Sequence, residues 1–283
     1  MKNYLSLVKF SHTLFAMPFA LIGFTLALNL KSENLSWKLL VLVIFCMVFA
    51  RNAAMAFNRY IDRDIDKLNP RTALREIPSG LINENSALLF VFLNSLLFVF
   101  STFLINSLCF ALSPIALVII LGYSLTKRFT FLCHLVLGLG LSLAPIGAYL
   151  AVTGEFNYLP LLFSFAVLFW VSGFDIIYAI QDQDFDKKNE LNSIPVLLGT
   201  KNALGLSSFF HFITFLMLLC AGIFGDFKAW YWSGTVIFTA LLIYQHYIIK
   251  PNDLSRINLA FFTTNGIASV VFGVFVILDL FLN

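Results

Sequence analysis

Two short segments of this chain hold acids at a spacing that can do chemistry: DRDIDKLN, from Asp62 to Asn69, and DQDFDKKN, from Asp182 to Asn189. They lie 120 residues apart and agree at five of eight positions, so they read as two copies of one element. In the first copy Asn58, Asp62 and Asp66 recur every four residues, and in the second Tyr178, Asp182 and Asp186 do the same. Residues four apart share one face of a helix. Asp64 and Asp184 fall elsewhere on that helix. Like charges at this spacing repel, so each pair asks for a counter-ion. Magnesium takes one or two carboxylates and fills its remaining positions with water and substrate phosphate oxygens. Two facing acidic ends therefore suit a diphosphate bridged by metal ions. The plainer alternative is a pair of solvated loops balanced by Arg63, Lys67, Lys187 and Lys188, and the duplication of the spaced pair argues against it.

The elements that must position these acids are membrane-spanning. The 283 residues are 60% hydrophobic and 12% charged, half the charge of a typical soluble domain. A spanning helix needs about 20 apolar residues. Nine stretches qualify, near 11–30, 37–58, 86–106, 108–125, 132–153, 158–181, 203–224, 229–249 and 257–281. The first follows Lys2 and Lys9 like a signal peptide, but its length and the spans after it favour a retained helix. The expected fold is all-α and polytopic, a single membrane domain over 1–283 with a central cavity opening to the cytoplasmic side. Each acidic copy closes an apolar span, the second and the sixth. Four spans lie between the copies, which returns the chain to the same face. The halves, about 11–125 and 132–249, are then parallel repeats, with 257–281 as an added helix. Fourteen of the 18 Lys and Arg residues fall on the N-terminal side, and only Lys31, Lys38 and Lys228 on the other. The positive-inside rule makes the N-terminus cytoplasmic and Asn283 external.

Arg51 lies inside the second span, seven residues before Asn58 and so roughly 10 Å deeper on the same face. Asp175 stands seven residues before Asp182. A charge at that depth is expensive and reads as functional. Arg51 could hold a substrate carboxylate or pair with Asp175, and Asp175 could instead accept a substrate hydrogen bond. Cys46, Cys109, Cys133 and Cys220 have no zinc or redox spacing and read as packing residues. His12, His134, His211 and His246 are scattered and read as buried or interfacial. No basic run or Gly-rich phosphate loop points to nucleic acid or nucleotide.

At these residues the chain resembles the UbiA family of intramembrane aromatic prenyltransferases, and within it the 4-hydroxybenzoate polyprenyltransferase branch. The family's N-x-x-x-D-x-x-x-D is met by Asn58, Asp62 and Asp66, and its second D-x-x-x-D by Asp182 and Asp186 in DIIYAIQDQDFD. A Y-x-x-x-K-R element is met by Tyr123, Lys127 and Arg128. The resemblance covers essentially the whole chain. It implies transfer of a polyprenyl group from polyprenyl diphosphate to an aromatic acid in quinone biosynthesis. Asp62, Asp66, Asp182 and Asp186 would hold Mg2+, with Asn58 assisting. Arg71, Arg75, Lys127 and Arg128 lie on the same face and could add charge-assisted hydrogen bonds to the leaving diphosphate, or serve as positive-inside anchors or lipid headgroup contacts. Membrane lipid is the other expected contact, and the cell (inner) membrane the expected location.

A transporter also fits parallel repeats with intramembrane charge, but it calls for polar residues at mid-membrane, whereas these acids gather at one face. A magnesium-dependent phospholipid head-group transferase shares acids at cytoplasmic helix ends, but its Asp-Gly start and Ala-Arg pair are missing. Among acceptors, hydroxybenzoate and the dihydroxynaphthoate of menaquinone synthesis both offer a carboxylate and an electron-rich ring.

Overall fold

Backbone in hydrocarbon must satisfy its own hydrogen bonds, which leaves helices as the way to build apolar runs of this length. In the computed structural model, which describes residues 2–8, 15–31 and 34–283, the ordered elements are helical and no strand occurs among the described residues. Lys9 and His12 lie outside them. The elements are α1 (Lys2–Leu7), α2 (Met17–Lys31), α3 (Trp37–Ile61), α4 (Arg63–Leu68), α5 (Glu84–Ile105) and α6 (Ser107–Thr126). They continue as α7 (Cys133–Thr153), α8 (Tyr158–Ala179), α9 (Gln183–Lys188), α10 (Ile194–Phe224), α11 (Ala229–Ile248) and α12 (Asn265–Leu282). Short polar residues start several of them. The side chains of Ser36, Asn83, Asn106, Asn157 and Ser193 accept from backbone N–H groups two or three residues on, satisfying donors the helix leaves open.

Nine spans were expected, and seven helical stretches among the described residues are long and apolar enough to cross a membrane. The other two expected spans correspond to α2, described over only 15 residues, and α11, whose 20 residues include Ser233, Thr235, Thr239, Gln245 and His246. The span expected from 203 follows a kink at Gly199, whose φ 73° and ψ 162° are non-helical, and a short helical stretch that Ser193 caps at Ile194 precedes it.

The core lies around α7 and α8. α8 packs against α7 and α10, α2 against α7, and α12 closes the arrangement between α11 and α2. Trp170 is fully buried there among Phe19, Phe174 and Phe238. In the first half α5 lies on α3 and α6 on α7, and an apolar cavity of about 390 Å³ opens between α3, α5, α6 and α7. Helix contacts in a bilayer rely on small residues that let backbones approach. Gly23 of α2 is such a point, because a Cβ there would come within 2.0 Å of the Pro145 carbonyl oxygen of α7. A Cβ at Gly147 meets nothing within 4 Å. Gly23→Ala should therefore cost about 1–3 kcal/mol, read as an earlier thermal unfolding midpoint in detergent, while Gly147→Ala leaves the midpoint near the parent value. Equal midpoints would refute the close α2–α7 contact.

Candidate active site

The two acidic copies fold alike down to the backbone. α3 ends at Ile61 and α4 begins at Arg63, with Asp62 at φ −90° and ψ 4° between them. α8 passes through a single 3₁₀ turn, Ile180–Asp182, into α9, with Asp182 at φ −100° and ψ 3°. The single straight helical face expected from the spacing is thus bent in both copies, and at the matching aspartate. The bend places each first acid in the sparsely populated region near ψ 0°, where active-site residues often sit. The four-residue relation survives it: Asp62 N–H donates to the Asn58 carbonyl at 2.9 Å and Asp66 N–H to the Asp62 carbonyl at 2.7 Å. Asn58 Nδ2 also donates to Asp62 Oδ2 at 2.9 Å.

The structure brings the 13 side chains singled out from the sequence onto one cavity of about 700 Å³. Each of the four spaced acids meets its own cation there. Arg128 Nη2 lies 3.0 Å from Asp62 Oδ1, and Arg75 Nη1 sits between the Asp66 oxygens at 2.7 and 2.8 Å. Lys127 Nζ lies 2.7 Å from Asp186 Oδ1. Arg71 grips Asp182 through two nitrogens, with Nε at 3.0 Å from Oδ1, and its Nη1 donates to the Tyr178 hydroxyl at 3.2 Å. The counter-ions are therefore Arg71, Arg75, Lys127 and Arg128, not the adjacent Arg63, Lys67, Lys187 and Lys188 of the plainer reading. Arg63 turns away to Glu84 at 2.9 Å. Asp64 and Asp184 are exposed. Burial pushes the Asp62 carboxyl above its usual range, while the hydrogen bond from Arg128 pulls it back down.

The donors fit a hard divalent ion, since carboxylate oxygens are what magnesium takes. Among the described residues no group of three or more acids, His or Cys is preassembled around a point, as suits an ion whose other ligands are water and phosphate. The acids are held by guanidinium and ammonium groups, which are the groups that bind phosphate oxygens.

Deeper in the cavity, the alternative of an Arg51–Asp175 ion pair does not occur. Asp175 Oδ2 lies 2.6 Å from His134 Nδ1 instead. His134 Nε2 accepts from the Ile194 N–H at 3.3 Å, which leaves the proton on Nδ1, pointed at Asp175. Arg51 is left with a buried Nε that has no hydrogen-bond partner among the described residues, and it borders both the polar cavity and the adjoining apolar one. Tyr123 borders both as well.

Three groups escaped the sequence reading. His134 was read as a generic buried histidine, and its partner 41 residues away is invisible in spacing. Asn69 donates to Asp182 at 3.1 Å; its recurrence as Asn189 at the end of the second copy was the available signal. Phe15, Phe174, Phe261 and Phe262 line the cavity, and nothing distinguishes them among 33 phenylalanines. The four cysteines are free, and only Cys133 borders the polar cavity.

The UbiA prenyltransferase family model matches residues 16–267. Among curated proteins, a 4-hydroxybenzoate octaprenyltransferase of Aliivibrio fischeri strain MJ11 is 32% identical over 256 residues, covering 87% of this chain and 86% of that protein. One from Vesicomyosocius okutanii is 31% identical over 247 residues, covering 87% and 90%. Among solved structures, the apo form of a UbiA homolog from Aeropyrum pernix K1 superposes with a TM-score of 0.86 at 32% identity, covering 95% of this chain and 98% of that one. A UbiA homolog from Archaeoglobus fulgidus bound to GPP and Mg2+ shares the fold, with a TM-score of 0.74 at 22% identity over 97% and 98% of the chains.

If the acids exchange cations as the pairing suggests, Arg75→Gln frees Asp66 for a metal. Calorimetric binding of Mg2+ without diphosphate should then tighten by about threefold to tenfold, the scale of one part-buried charge pair. Unchanged or weaker binding would remove Asp66 from the metal set.

Proposed function

The chain belongs to the UbiA prenyltransferase family, and on that premise we propose that it transfers a polyprenyl group from polyprenyl diphosphate to an aromatic acid, 4-hydroxybenzoate first, in quinone biosynthesis. One observation carries the reading: two matching acidic helix ends face a single cavity with four cations paired to them.

The bond to be broken joins an allylic carbon to a diphosphate oxygen. Its electron pair leaves with the diphosphate and an allylic cation remains. Asp62, Asp66, Asp182 and Asp186 would hold Mg2+, which would supply Lewis-acid neutralisation of the leaving group. Arg71, Arg75, Lys127 and Arg128 pass from the acids to the diphosphate oxygens and stabilise the charge that develops there. Asn58 keeps Asp62 turned toward the cavity, and Tyr178 does the same for Arg71. The acceptor's carboxylate takes the open donor of Arg51. Asp175, held by the Nδ1–H of His134, accepts the phenolic hydrogen bond and raises the ring's nucleophilicity. Tyr123 closes the pocket between Arg51 and the acids. The apolar cavity that shares Arg51 and Tyr123 receives the isoprenoid tail. We place the protein in the cell (inner) membrane with a cytoplasmic N-terminus and external C-terminus, a reading supported by the bias of its basic residues.

The reading is tested with purified membranes given several prenyl diphosphates and aromatic acids, with and without magnesium, the products resolved by mass. A prenylated aromatic acid that appears only with magnesium is the expected result. Ion transport without such a product would favour a transporter and overturn the assignment. Asp62→Ala and Asp186→Ala should each reduce turnover by about 10²- to 10³-fold, on the order expected when a charge-stabilising group is lost, with membrane insertion intact. Substantial residual turnover in either would sink the metal assignment. Arg51→Ala should raise the Michaelis constant for the acceptor by about tenfold or more and that for the donor much less, because a charge-assisted pair contributes roughly 1.5–3 kcal/mol. Equal effects on both constants would count against carboxylate recognition.

A further inference from the structure

Immediately before α12 the chain forms a π turn, Leu259–Thr264. Such turns are rare, disturb the regular hydrogen-bond ladder and are found frequently at functional sites. Here side chains from the following residues take up the carbonyls that the turn displaces. Thr264 Oγ1 donates to the Leu259 carbonyl at 3.0 Å, and Asn265 Nδ2 donates to those of Ala260 and Phe261 at 3.1 and 2.9 Å. Asn265 is fully buried, and its Oδ1 accepts from Trp170 Nε1 at 2.9 Å and Gln245 Nε2 at 2.6 Å. Both donors and both lone pairs of one amide are thus used, which ties the turn to α8 and α11.

The turn carries two aromatic rings to the wall of the polar cavity. Phe261 stacks on Tyr178 with centroids 4.0 Å apart and meets Phe174 edge-on at 5.3 Å. Phe262 meets Tyr178 at 5.7 Å. Tyr178 in turn lies 5.5 Å from the guanidinium carbon of Arg71, the residue that grips Asp182. The aromatic wall therefore begins one ring away from the charged groups that would receive the diphosphate. The allylic carbon is bonded to that diphosphate, so the wall stands where positive charge develops when the bond breaks.

We infer that Phe261 and Phe262 form the cation-facing wall of this cavity and that Asn265 is the positioning residue that holds them there through the π turn; the inference rests on the prenyl-transfer reading above. The allylic cation has two fates. A ring carbon of the acceptor can supply an electron pair, forming the carbon–carbon bond and then losing its ring proton. Water can instead supply the pair through oxygen and lose a proton, leaving a prenyl alcohol. Aromatic faces attract the cation, and their bulk keeps water from it. The wall accordingly sets the partition between transfer and hydrolysis.

The test measures diphosphate release, prenylated acceptor and prenyl alcohol together in the full-length protein with magnesium, a prenyl diphosphate and 4-hydroxybenzoate. Phe261→Leu should raise the ratio of alcohol to prenylated product by about fivefold to tenfold, the scale of one cation–π contact. Its donor Michaelis constant should stay within about twofold of the parent value, and Phe261→Tyr, which keeps the ring, should return the ratio to the parent value. Asn265→Ala and the milder Trp170→Phe should shift the ratio in the same direction. If Asn265→Ala fails to fold and releases no diphosphate, Trp170→Phe and the Phe261 variants decide. A parent protein that releases no diphosphate overturns the prenyl-transfer reading and this inference with it. A parent that transfers, beside variants that release diphosphate at an unchanged ratio, overturns this inference alone.

Discussion

The constraint on which the rest of the structure depends is that four carboxylates gathered at one end of a membrane bundle must be neutralised. The molecule meets it one to one, with Arg128 on Asp62, Arg75 on Asp66, Arg71 on Asp182 and Lys127 on Asp186. These pairs also join the halves. Lys127 and Arg128 are sequence neighbours at the end of α6, yet one serves the acid on α9 and the other the acid at the end of α3. Arg71 reaches from the segment after α4 to Asp182. Partly buried pairs of this kind give little net stability, because desolvation offsets most of the attraction. On the proposed reading, their value is that both partners can change partners.

The bundle divides the remaining work between its two sides. Around α8 the aromatic core of Trp170, Phe163, Phe238 and Phe272 is closed and fully buried, so it can hold the bend at Asp182 and the π turn before α12 in fixed positions. Around α5 and α6 the helices leave an apolar cavity that meets the polar one at Arg51 and Tyr123. Charge and apolar volume are thereby adjacent, as a substrate with an anionic head and a hydrocarbon tail requires. Arg51 stands at the boundary with an open donor, while Asp175 is already engaged by His134.

The repeat is faithful in the acids and in the backbone that bends at them, but not in what surrounds them. At the 120-residue offset, Asn58 corresponds to Tyr178, Arg51 to Val171, Arg71 to Leu191 and Arg75 to Pro195. Asn69 crosses to Asp182, whereas Asn189 stays on its own chain segment at Phe185. The cations all come from the first half and its junction. Both acidic segments carry the carboxylates, but the cations that balance them lie in or just after the first half.

Much of this was legible in the residues themselves. Apolar length and charge distribution determine a helical membrane bundle, because hydrocarbon admits few other backbones and basic residues resist translocation. The four-residue recurrence and its duplication determine two acidic ends at one face. The buried depth of Arg51 and Asp175 marks a second polar layer. What only the tertiary structure decided is partnership across the fold: which cation meets which acid, that Asp175 takes His134 and leaves Arg51 open, and that Phe261 and Phe262 face the cavity. Such choices depend on contacts between residues tens to more than a hundred positions apart, set by how helices cross and where a turn is widened. Periodicity along one helix carries no record of them, and so spacing could name the charged residues but not their neighbours.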